Sequence, residues 1–293
     1  MKIAVAVLQM PSEPAAVAIN LDRADAMLGE LRGTGAVLAV LPEMFNTGHA
    51  LLPDFGPLAE GVDGPTLRHL SARSRQWGMA IAAGFVERDG RELHDAMTLC
   101  LPDRSIHVYR KRSLVFWERF RFRPGRFPLV VPTPWGRVGL AICADMIERR
   151  VWDGYRGQID FAVISAAWPD FASRRGGGPH WLLGPLGPMA TTIPAKVAHD
   201  LAVPVIFANQ CGETETIIPV LGLLVVDRIT DRFAGRGSIH DAGCTSSAVA
   251  GIGAEILLSE ITVPDIRGKR SCHSTCPSAA EVFSSGSAWP GLV

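Results

Sequence analysis

Short apolar segments of strand length recur through the first 210 residues and alternate with segments of helical periodicity. Each apolar segment is closed by a turn or a polar residue, which is typical of buried strands. In segment 16–32, Ile19 and Leu31 fall on a face opposite Arg23 and Glu30, as in an amphipathic helix. The predicted strands are residues 3–10, 36–43, 79–87, 96–102, 136–143, 161–168 and 203–210, and the predicted helices include 16–32, 64–78 and 187–201.

The alternation of strands and helices predicts an α/β architecture with buried sheets. By itself it fits either one doubly wound sheet or two stacked sheets. No internal repeat or linker divides the chain, so we expect residues 1–266 to form one domain. Residues 267–293 are rich in Ser, Gly and Pro and lack aliphatic periodicity, which predicts an extended arm or disorder.

One further segment, residues 213–231, is long and apolar, and exposing all its aliphatic side chains would create a large hydrophobic patch. We therefore expect it to be covered. Two hypotheses fit: a hairpin that packs at a subunit interface or over the mouth of a pocket, or another strand of the core.

The charge composition excludes a partner that is attracted mainly by net charge. Lys plus Arg and Asp plus Glu both number 29, so no net field attracts nucleic acid or an anionic membrane. No apolar run has membrane-spanning length, and the N-terminus lacks the pattern of a secretory signal, so we expect a cytoplasmic protein. The six scattered cysteines are then expected to be free thiols.

The candidate chemistry begins at Cys143, which directly follows a predicted strand and precedes a segment able to start a helix, with Asp145 and Glu148 in its first turn. A thiol on such a turn projects from the sheet edge, where backbone N–H groups, including that of Ala144, can stabilise a developing anion. A buried core cysteine is the alternative from this segment alone.

Two other segments carry charged residues at the ends of strands. Glu43 follows an apolar strand and Pro42, and Lys111 ends a short strand-like segment, with Glu118 seven residues later among aromatic residues. Each alone is weak evidence, because most Glu and Lys side chains are solvated at the surface.

Taken in chain order, Glu43, Lys111 and Cys143 resemble the Glu-Lys-Cys catalytic triad of the nitrilase superfamily, the carbon-nitrogen hydrolases. Several short matches in the family's order are much more specific than one motif. The resemblance covers roughly residues 1–263 through "VAVLQM", "LPEMFNTG", "YRKRSLVFWERFRFRPG", "GLAICADM", "ISAAWP", "IFANQCG", "RFAGRGSIHDAG" and "GAEILLSEITV".

The resemblance implies a four-layer α-β-β-α sandwich and a homodimer or higher oligomer that pairs through helices beside the active site. It also implies that Cys143 is the nucleophile, Glu43 the general base, and Lys111 with the Ala144 N–H the groups that stabilise the tetrahedral intermediate. Glu118 is expected to hold Lys111 or Glu43. A surface ion pair with Arg119, Arg121 or Arg123 is the alternative.

Candidates for the substrate pocket are Trp117, Phe120 and Trp168, although aromatic residues are often simply core. Asn209, in "NQCG", is expected either to position groups near the site or to form a structural turn.

The function implied is hydrolysis of a small-molecule amide through an acyl thioester. The same triad also fits a nitrilase, a carbamoyl hydrolase or an acyltransferase, and a catalytically silent scaffold is the alternative of another class.

No metal or organic cofactor is expected in this chemistry. "CHSTC", residues 272–276, lacks the second ligand pair of a structural zinc site, and His94, His180 and His240 have no local signature that connects them to Cys143.

Overall fold

The computed structural model describes residues 1–49, 55–115, 118–170, 187–220, 225–243 and 246–264. Its strands are β1 (Lys2–Gln9), β2 (Ala36–Val40), β3 (Ala80–Asp89), β4 (Glu92–Cys100), β5 (Ile106–Arg110), β6 (Val130–Thr133), β7 (Gly136–Ile142), β8 (Phe161–Ala166), β9 (Val205–Asn209), β10 (Glu213–Val220), β11 (Val225–Arg232), β12 (Ser238–His240), β13 (Ser246–Val249) and β14 (Glu255–Thr262). The α-helices are α1 (Val17–Glu30), α2 (Pro65–Trp77), α3 (Arg149–Asp153) and α4 (Met189–Leu201).

These strands form two mixed six-stranded sheets. The first has the order β14-β1-β2-β3-β4-β5, and the second has the order β13-β12-β9-β8-β7-β6. In the first sheet β1 lies between a parallel partner, β2, and an antiparallel partner, β14. In the second, β7, β8 and β9 run parallel to one another.

Alternating side chains of the strands supply two cores. Val5 and Val7 of β1 belong to a cluster that includes Leu140 and Phe161 of the second sheet, so one face of each sheet packs against the other. Ala6 and its neighbours on the opposite face of the first sheet pack against α1 and α2.

Helices α3 and α4 pack against the second sheet, through residues such as Val151 and Val197. The predicted four-layer α-β-β-α sandwich is therefore confirmed, and the alternative of one doubly wound sheet is wrong.

Local sequence explains the ends of helix α2. Pro65 stands in its first turn, where a missing N–H costs nothing. Gly78 ends the helix at φ 65°, a left-handed conformation that glycine adopts without strain.

The structure contains strands that hydrophobic patterning did not predict, namely β6 and the short strands after β9. Of segment 213–231, the described residues 213–220 and 225–231 lie in the antiparallel pair of β10 and β11, which belongs to neither six-stranded sheet. This pairing agrees with the hairpin hypothesis rather than with a core strand. What covers the pair stays a prediction.

The expected arm or disordered segment, residues 267–293, lies outside the described residues, and the domain boundary at residue 266 stays a prediction. Among the described residues, no helix combines the length and hydropathy that a membrane crossing requires.

Candidate active site

Three loops that follow strands bring the predicted triad together between the two sheets. Glu43 follows β2, Lys111 follows β5 and Cys143 follows β7. The side chains of Glu43 and Lys111 have no solvent exposure, and Cys143 is 7% exposed. Buried ionisable groups need partners, so the contacts of each group decide what the site can do.

Lys111 lies at the centre of the cluster. Its Nζ donates to Oε1 of Glu43 over 2.7 Å and to Oε1 of Glu118 over 2.6 Å. The same Nζ lies 3.0 Å from Oδ2 of Asp95. Glu118 is buried and also accepts the backbone N–H of Val115 over 2.9 Å, so its carboxylate faces the cluster and not the surface arginines.

Glu43 is fixed from both sheets. Its Oε2 accepts the backbone N–H of Ala167 over 2.7 Å, and its carbonyl accepts from Nε2 of Gln210 over 2.7 Å. On the other side Gly84 packs so closely that an added Cβ would overlap the Cα of Glu43. The close approach therefore requires glycine at position 84.

The turn that carries Cys143 is strained. Cys143 has φ 45°, in the left-handed region, and begins a 3-10 helix that ends at Ile147. The N–H of Ala144 belongs to the first turn of this helix, where backbone donors have no partner within the helix. One continuous helix was expected here; instead a separate helix, α3, follows, and the Glu148 side chain accepts the Arg150 N–H at its start.

Asp145, which was expected to act as a helix-terminal charge, is instead a buried acceptor. It accepts the N–H groups of Ile142, Arg112 and Ser113 over 3.0, 3.1 and 2.7 Å, and the hydroxyl of Tyr109 over 2.8 Å. Two of these donors directly follow Lys111. Asp145 therefore connects the cysteine turn to the lysine segment.

The acidic groups of the cluster differ in their proton affinity. Burial favours the neutral form of Glu43, but the charges of Lys111 and His49 and hydrogen bonds from Asp95 and Lys111 outweigh it and lower the pKa of Glu43 to about 2. Burial also opposes the charge of Lys111, yet the surrounding carboxylates raise the pKa of Lys111 well above its usual value. Glu43 is therefore a carboxylate and Lys111 an ammonium at neutral pH.

The thiol of Cys143 has the opposite tendency. Burial raises its pKa well above the usual value, and the Glu43 and Glu118 charges add to this effect, while Lys111 and the Ala167 N–H oppose it. Cys143 is thus a neutral thiol beside an ionised carboxylate. This arrangement suits a base that removes the proton during attack rather than before it.

The pocket candidates have different positions. Trp168 is 5% exposed, and Asn209 holds it by accepting its backbone N–H over 2.7 Å. Asn209 also donates to the carbonyl of Gly235 over 2.8 Å, which gives it a backbone-positioning contact. Phe120 is 74% exposed, and its place in the substrate pocket stays a prediction. Trp117 lies outside the described residues.

Sequence reasoning missed His49, which lies beside the cluster. Its side chain is 13% exposed, its Nε2 is 3.9 Å from Oε1 of Glu118, and its ring meets that of Phe233 edge to face at 6.0 Å. The signal was its place six residues after Glu43, in the same loop. Asp95 and Gln210 were missed as well, because a single polar residue within a strand or just after one carries no pattern.

The chemistry of the cluster also bears on metal binding. Glu43, His49 and Glu118 place one ligand atom each within 4.8 Å of one another. Because Nζ of Lys111 hydrogen-bonds both carboxylates, the ammonium already supplies a positive charge there. A metal ion would have to compete with it. The expectation of chemistry without a metal or cofactor stays a prediction.

Comparison with known sequences identifies a family. Residues 4–237 match the family model described as carbon-nitrogen hydrolase. A Pseudomonas protegens protein named "Hydrolase in pqqF 5'region" is 29% identical over 272 residues, which are 88% of this chain and 82% of that protein.

Shorter stretches of this chain match two named enzymes. A Pyrococcus abyssi nitrilase is 33% identical over 130 residues, and the omega-amidase NIT2 of Danio rerio is 30% identical over 138. Each match covers 43% of this chain and spans half the length of that relative.

Solved structures share the fold. A Xanthomonas campestris CN-hydrolase superfamily protein with an arsenic adduct in its active site has a TM-score of 0.71 at 21% identity, covering 89% of this chain and 91% of that one. An amidase variant from Nesterenkonia, with acrylamide added at its active-site cysteine, has a TM-score of 0.70 at 17% identity, covering 89% and 93%.

Proposed function

The chain belongs to the carbon-nitrogen hydrolase family and is an enzyme of that class, and we propose that it is an amidase that hydrolyses a small-molecule amide through an acyl thioester on Cys143. The observation that carries the proposal is the contact of the buried Lys111 ammonium with both Glu43 and Glu118 beside a neutral thiol. Such a cluster has the groups that nucleophilic catalysis on a carbonyl needs.

Acylation begins with the substrate carbonyl carbon beside Sγ of Cys143. Glu43 accepts the thiol proton as the C–S bond forms, because the thiol has a raised pKa and holds its proton until attack. The carbonyl oxygen becomes an anion in the tetrahedral intermediate. The Lys111 ammonium and the Ala144 N–H stabilise that charge.

Collapse of the intermediate completes the first half-reaction. Glu43 gives its proton to the departing nitrogen, the C–N bond breaks, and the acyl group remains on sulfur as a thioester. Glu43, again a carboxylate, then removes a proton from water as the water attacks the thioester. Breaking the C–S bond releases the acid, and Glu43 returns its proton to the sulfur, which restores the thiol and the carboxylate.

Glu118 has a positioning role in this scheme. It accepts from Lys111 on one oxygen and from the Val115 N–H on the other, so the ammonium is held from the side opposite Glu43. A lysine fixed in this way loses little freedom when the intermediate forms.

Amide hydrolysis is favoured over the alternatives by the nature of the relatives. An omega-amidase and a structurally similar amidase stand among them, while the nitrilase match supports nitrile hydrolysis as the second candidate. Carbamoyl hydrolysis and acyl transfer to an amine need the same triad. A silent scaffold would not need three buried charged groups around a thiol.

We also propose a homodimer in the cytoplasm, with pairing through the helices beside the active site. The substrate pocket is proposed to include Trp168, Trp117 and His49, and Asn209 to act by holding the backbone of Trp168.

The test is intact-mass analysis and product release with a panel of short aliphatic amides, monoamides of dicarboxylic acids, carbamoyl compounds and nitriles. We expect an acyl adduct on Cys143 with an amide. Cys143→Ala should abolish adduct and turnover, and Glu43→Gln should slow both half-reactions by about 10²–10⁴-fold.

Cys100→Ala is the matched control, because Cys100 is a buried free cysteine in β4. It should keep the activity of the unmodified protein. Turnover by Cys143→Ala at the unmodified rate, or no reaction with any compound of the panel, would refute the proposed function.

A further inference from the structure

Asp95 is a fully buried carboxyl group that the reaction scheme does not use. It lies on β4, and its backbone carbonyl accepts the N–H of Lys111 over 2.8 Å. Its Oδ2 lies 3.0 Å from Nζ of Lys111. Even so, neither side-chain oxygen of Asp95 accepts a hydrogen bond from a donor among the described residues.

The charges of the cluster do not balance if every acid is ionised. Glu43, Asp95 and Glu118 would place three negative charges around the single ammonium of Lys111. Cys143 is neutral, and even a positive charge on His49, whose Nε2 lies 3.9 Å from Oε1 of Glu118, would leave one of the three negative charges uncompensated. Uncompensated charge is costly in a buried site, so one carboxyl group is expected to hold a proton.

Hydrogen bonding indicates which group holds it. Glu43 receives donors on both oxygens, from Lys111 and Ala167, and Glu118 receives donors on both, from Lys111 and Val115. These bonds stabilise the ionised forms. Asp95 has no such donors on its oxygens, and a proton would turn one of them into a donor.

The electrostatic environment agrees with this assignment. Burial raises the pKa of Asp95, the charge of Lys111 opposes the rise, and the charge and hydrogen bonding of Glu43 and the charge of Glu118 add to it. The net effect places the pKa of Asp95 well above its usual value. Oε1 of Glu43 and Oδ2 of Asp95 both lie within 3.0 Å of Nζ of Lys111, so Glu43 is a neighbouring carboxylate that can accept the proton of Asp95.

We propose that Asp95 is a positioning residue that remains protonated, donates a hydrogen bond to Glu43, and so holds Glu43 and Lys111 in the arrangement that Cys143 needs. The positioning role rests on the proposed function. The protonation state does not, so the two are tested separately.

Protonation is tested by unfolding Asp95→Asn and the unmodified protein in urea between pH 5 and pH 8. Asp95 with a raised folded-state pKa costs stability as pH rises above its unfolded value near 3.8, whereas Asn has no such cost. We expect Asp95→Asn to be the more stable protein at pH 8. The ratio of the two unfolding constants should shrink by up to tenfold per pH unit as pH falls.

Glu87→Gln is the matched control. Glu87 is also buried, on the neighbouring strand β3, but Arg110 donates to both its oxygens over 2.6 and 2.8 Å. Glu87→Gln removes the acid that pairs with Arg110, so this variant should be less stable than the unmodified protein. If Asp95→Asn is likewise less stable at pH 8, the assigned proton is refuted.

Positioning is tested by the rate at which iodoacetamide alkylates Cys143, followed by intact mass, so that no substrate needs to be known. Asn keeps a donor toward Glu43, so Asp95→Asn should react within about threefold of the unmodified rate across the pH range. Asp95→Leu keeps the approximate size of the side chain but removes the donor. Glu43 would then be misplaced, which should slow alkylation by about 10²-fold.

Two results would overturn the positioning role. One is an unmodified rate in folded Asp95→Leu. The other is a rate in Asp95→Asn that falls by about 10²-fold or whose pH profile shifts, since either would require an ionised Asp95. If Asp95→Leu fails to fold, Asp95→Asn alone decides. If the amide panel shows no turnover but these outcomes hold, the proposed function fails and the proton assignment stands.

Discussion

The hydroxyl of Tyr109 donates to Oδ2 of Asp145 over 2.8 Å and so joins strand β5 of the first sheet to the cysteine turn of the second. Asp145 accepts three backbone N–H groups in addition, two of them from the residues that follow Lys111. One carboxylate therefore sets the distance between nucleophile and ammonium. Catalytic groups on separate sheets need such a link to keep their geometry.

Asp145→Asn should damage both stability and activity. An amide nitrogen in place of one oxygen would face donors, so we expect a loss of about 3–5 kcal/mol in the free energy of unfolding, as for other broken buried charge networks. Tyr109→Phe removes one of four donors and should cost about 1.5–3 kcal/mol. Urea unfolding of both variants should show the larger loss in the free energy of unfolding for Asp145→Asn. Equal losses would contradict the central role of Asp145.

Gly84→Ala should be far more harmful than its size suggests. The new Cβ would overlap the backbone at Glu43, which cannot move without losing its bonds to Ala167 and Gln210. We expect a loss of at least about 3 kcal/mol, or a folded protein with activity reduced by about 10²-fold.

Gly29→Ala is the control for that substitution. Gly29 lies in helix α1 and has open space around its Cβ position, so alanine should stabilise the protein by about 0.5–1 kcal/mol. Thermal unfolding of the two variants should shift in opposite directions. A neutral Gly84→Ala would show that Glu43 does not need this close packing.

Lys111→Met should lower both the activity and the free energy of unfolding of the protein. The variant would leave Glu43 and Glu118 without their ammonium, at a cost of about 3–5 kcal/mol at neutral pH. Burial would then raise the folded-state pKa of Glu43 without the opposing charge of Lys111, so the stability of the variant should be lost progressively as pH increases. Urea unfolding at pH 5 and pH 8 measures this slope.

The control is Lys196→Met. Lys196 is half exposed and pairs with Asp200 one helical turn away, a contact that contributes about 0.3–0.5 kcal/mol. Lys111→Met should also lower the rate by at least about two orders of magnitude. Unchanged stability at pH 8 would contradict the central position of Lys111 in the charge network.

We predict at least a homodimer in solution, with the helices beside the active site at the interface. Light scattering at micromolar concentration should give a mass of two chains or a multiple of it. A mass equal to one chain would contradict the prediction.

Patterning predicted most long strands and helices of this fold, because buried strands and amphipathic helices leave a direct signal in the order of apolar residues. The four layers were implied only by the resemblance to a known family. The strands with Val5, Leu140 and Phe161, all buried between the sheets, lie where the sequence placed them. The short strands β6 and β12 were not predicted, because three or four residues carry too little periodicity to distinguish a strand from a loop.

The site was only partly predictable for a different reason. Glu43, Lys111 and Cys143 stand in motifs that resemble a known family, so their order along the chain carried information. Asp95 and Asp145 take their properties from contacts across the two sheets, with Lys111 and with Tyr109. No local spacing encodes such contacts.

The pairing of β1 with β14 has a consequence for synthesis of the protein. Lys2 lies opposite Thr262 and Gln9 opposite Glu255, so one neighbour of β1 is made only after all of the intervening chain has been translated. At about 5–20 residues per second, the ribosome needs more than about ten seconds to supply it. Throughout that interval the nascent chain presents an unpaired strand edge, which makes this edge the place where chaperones or another nascent chain would bind.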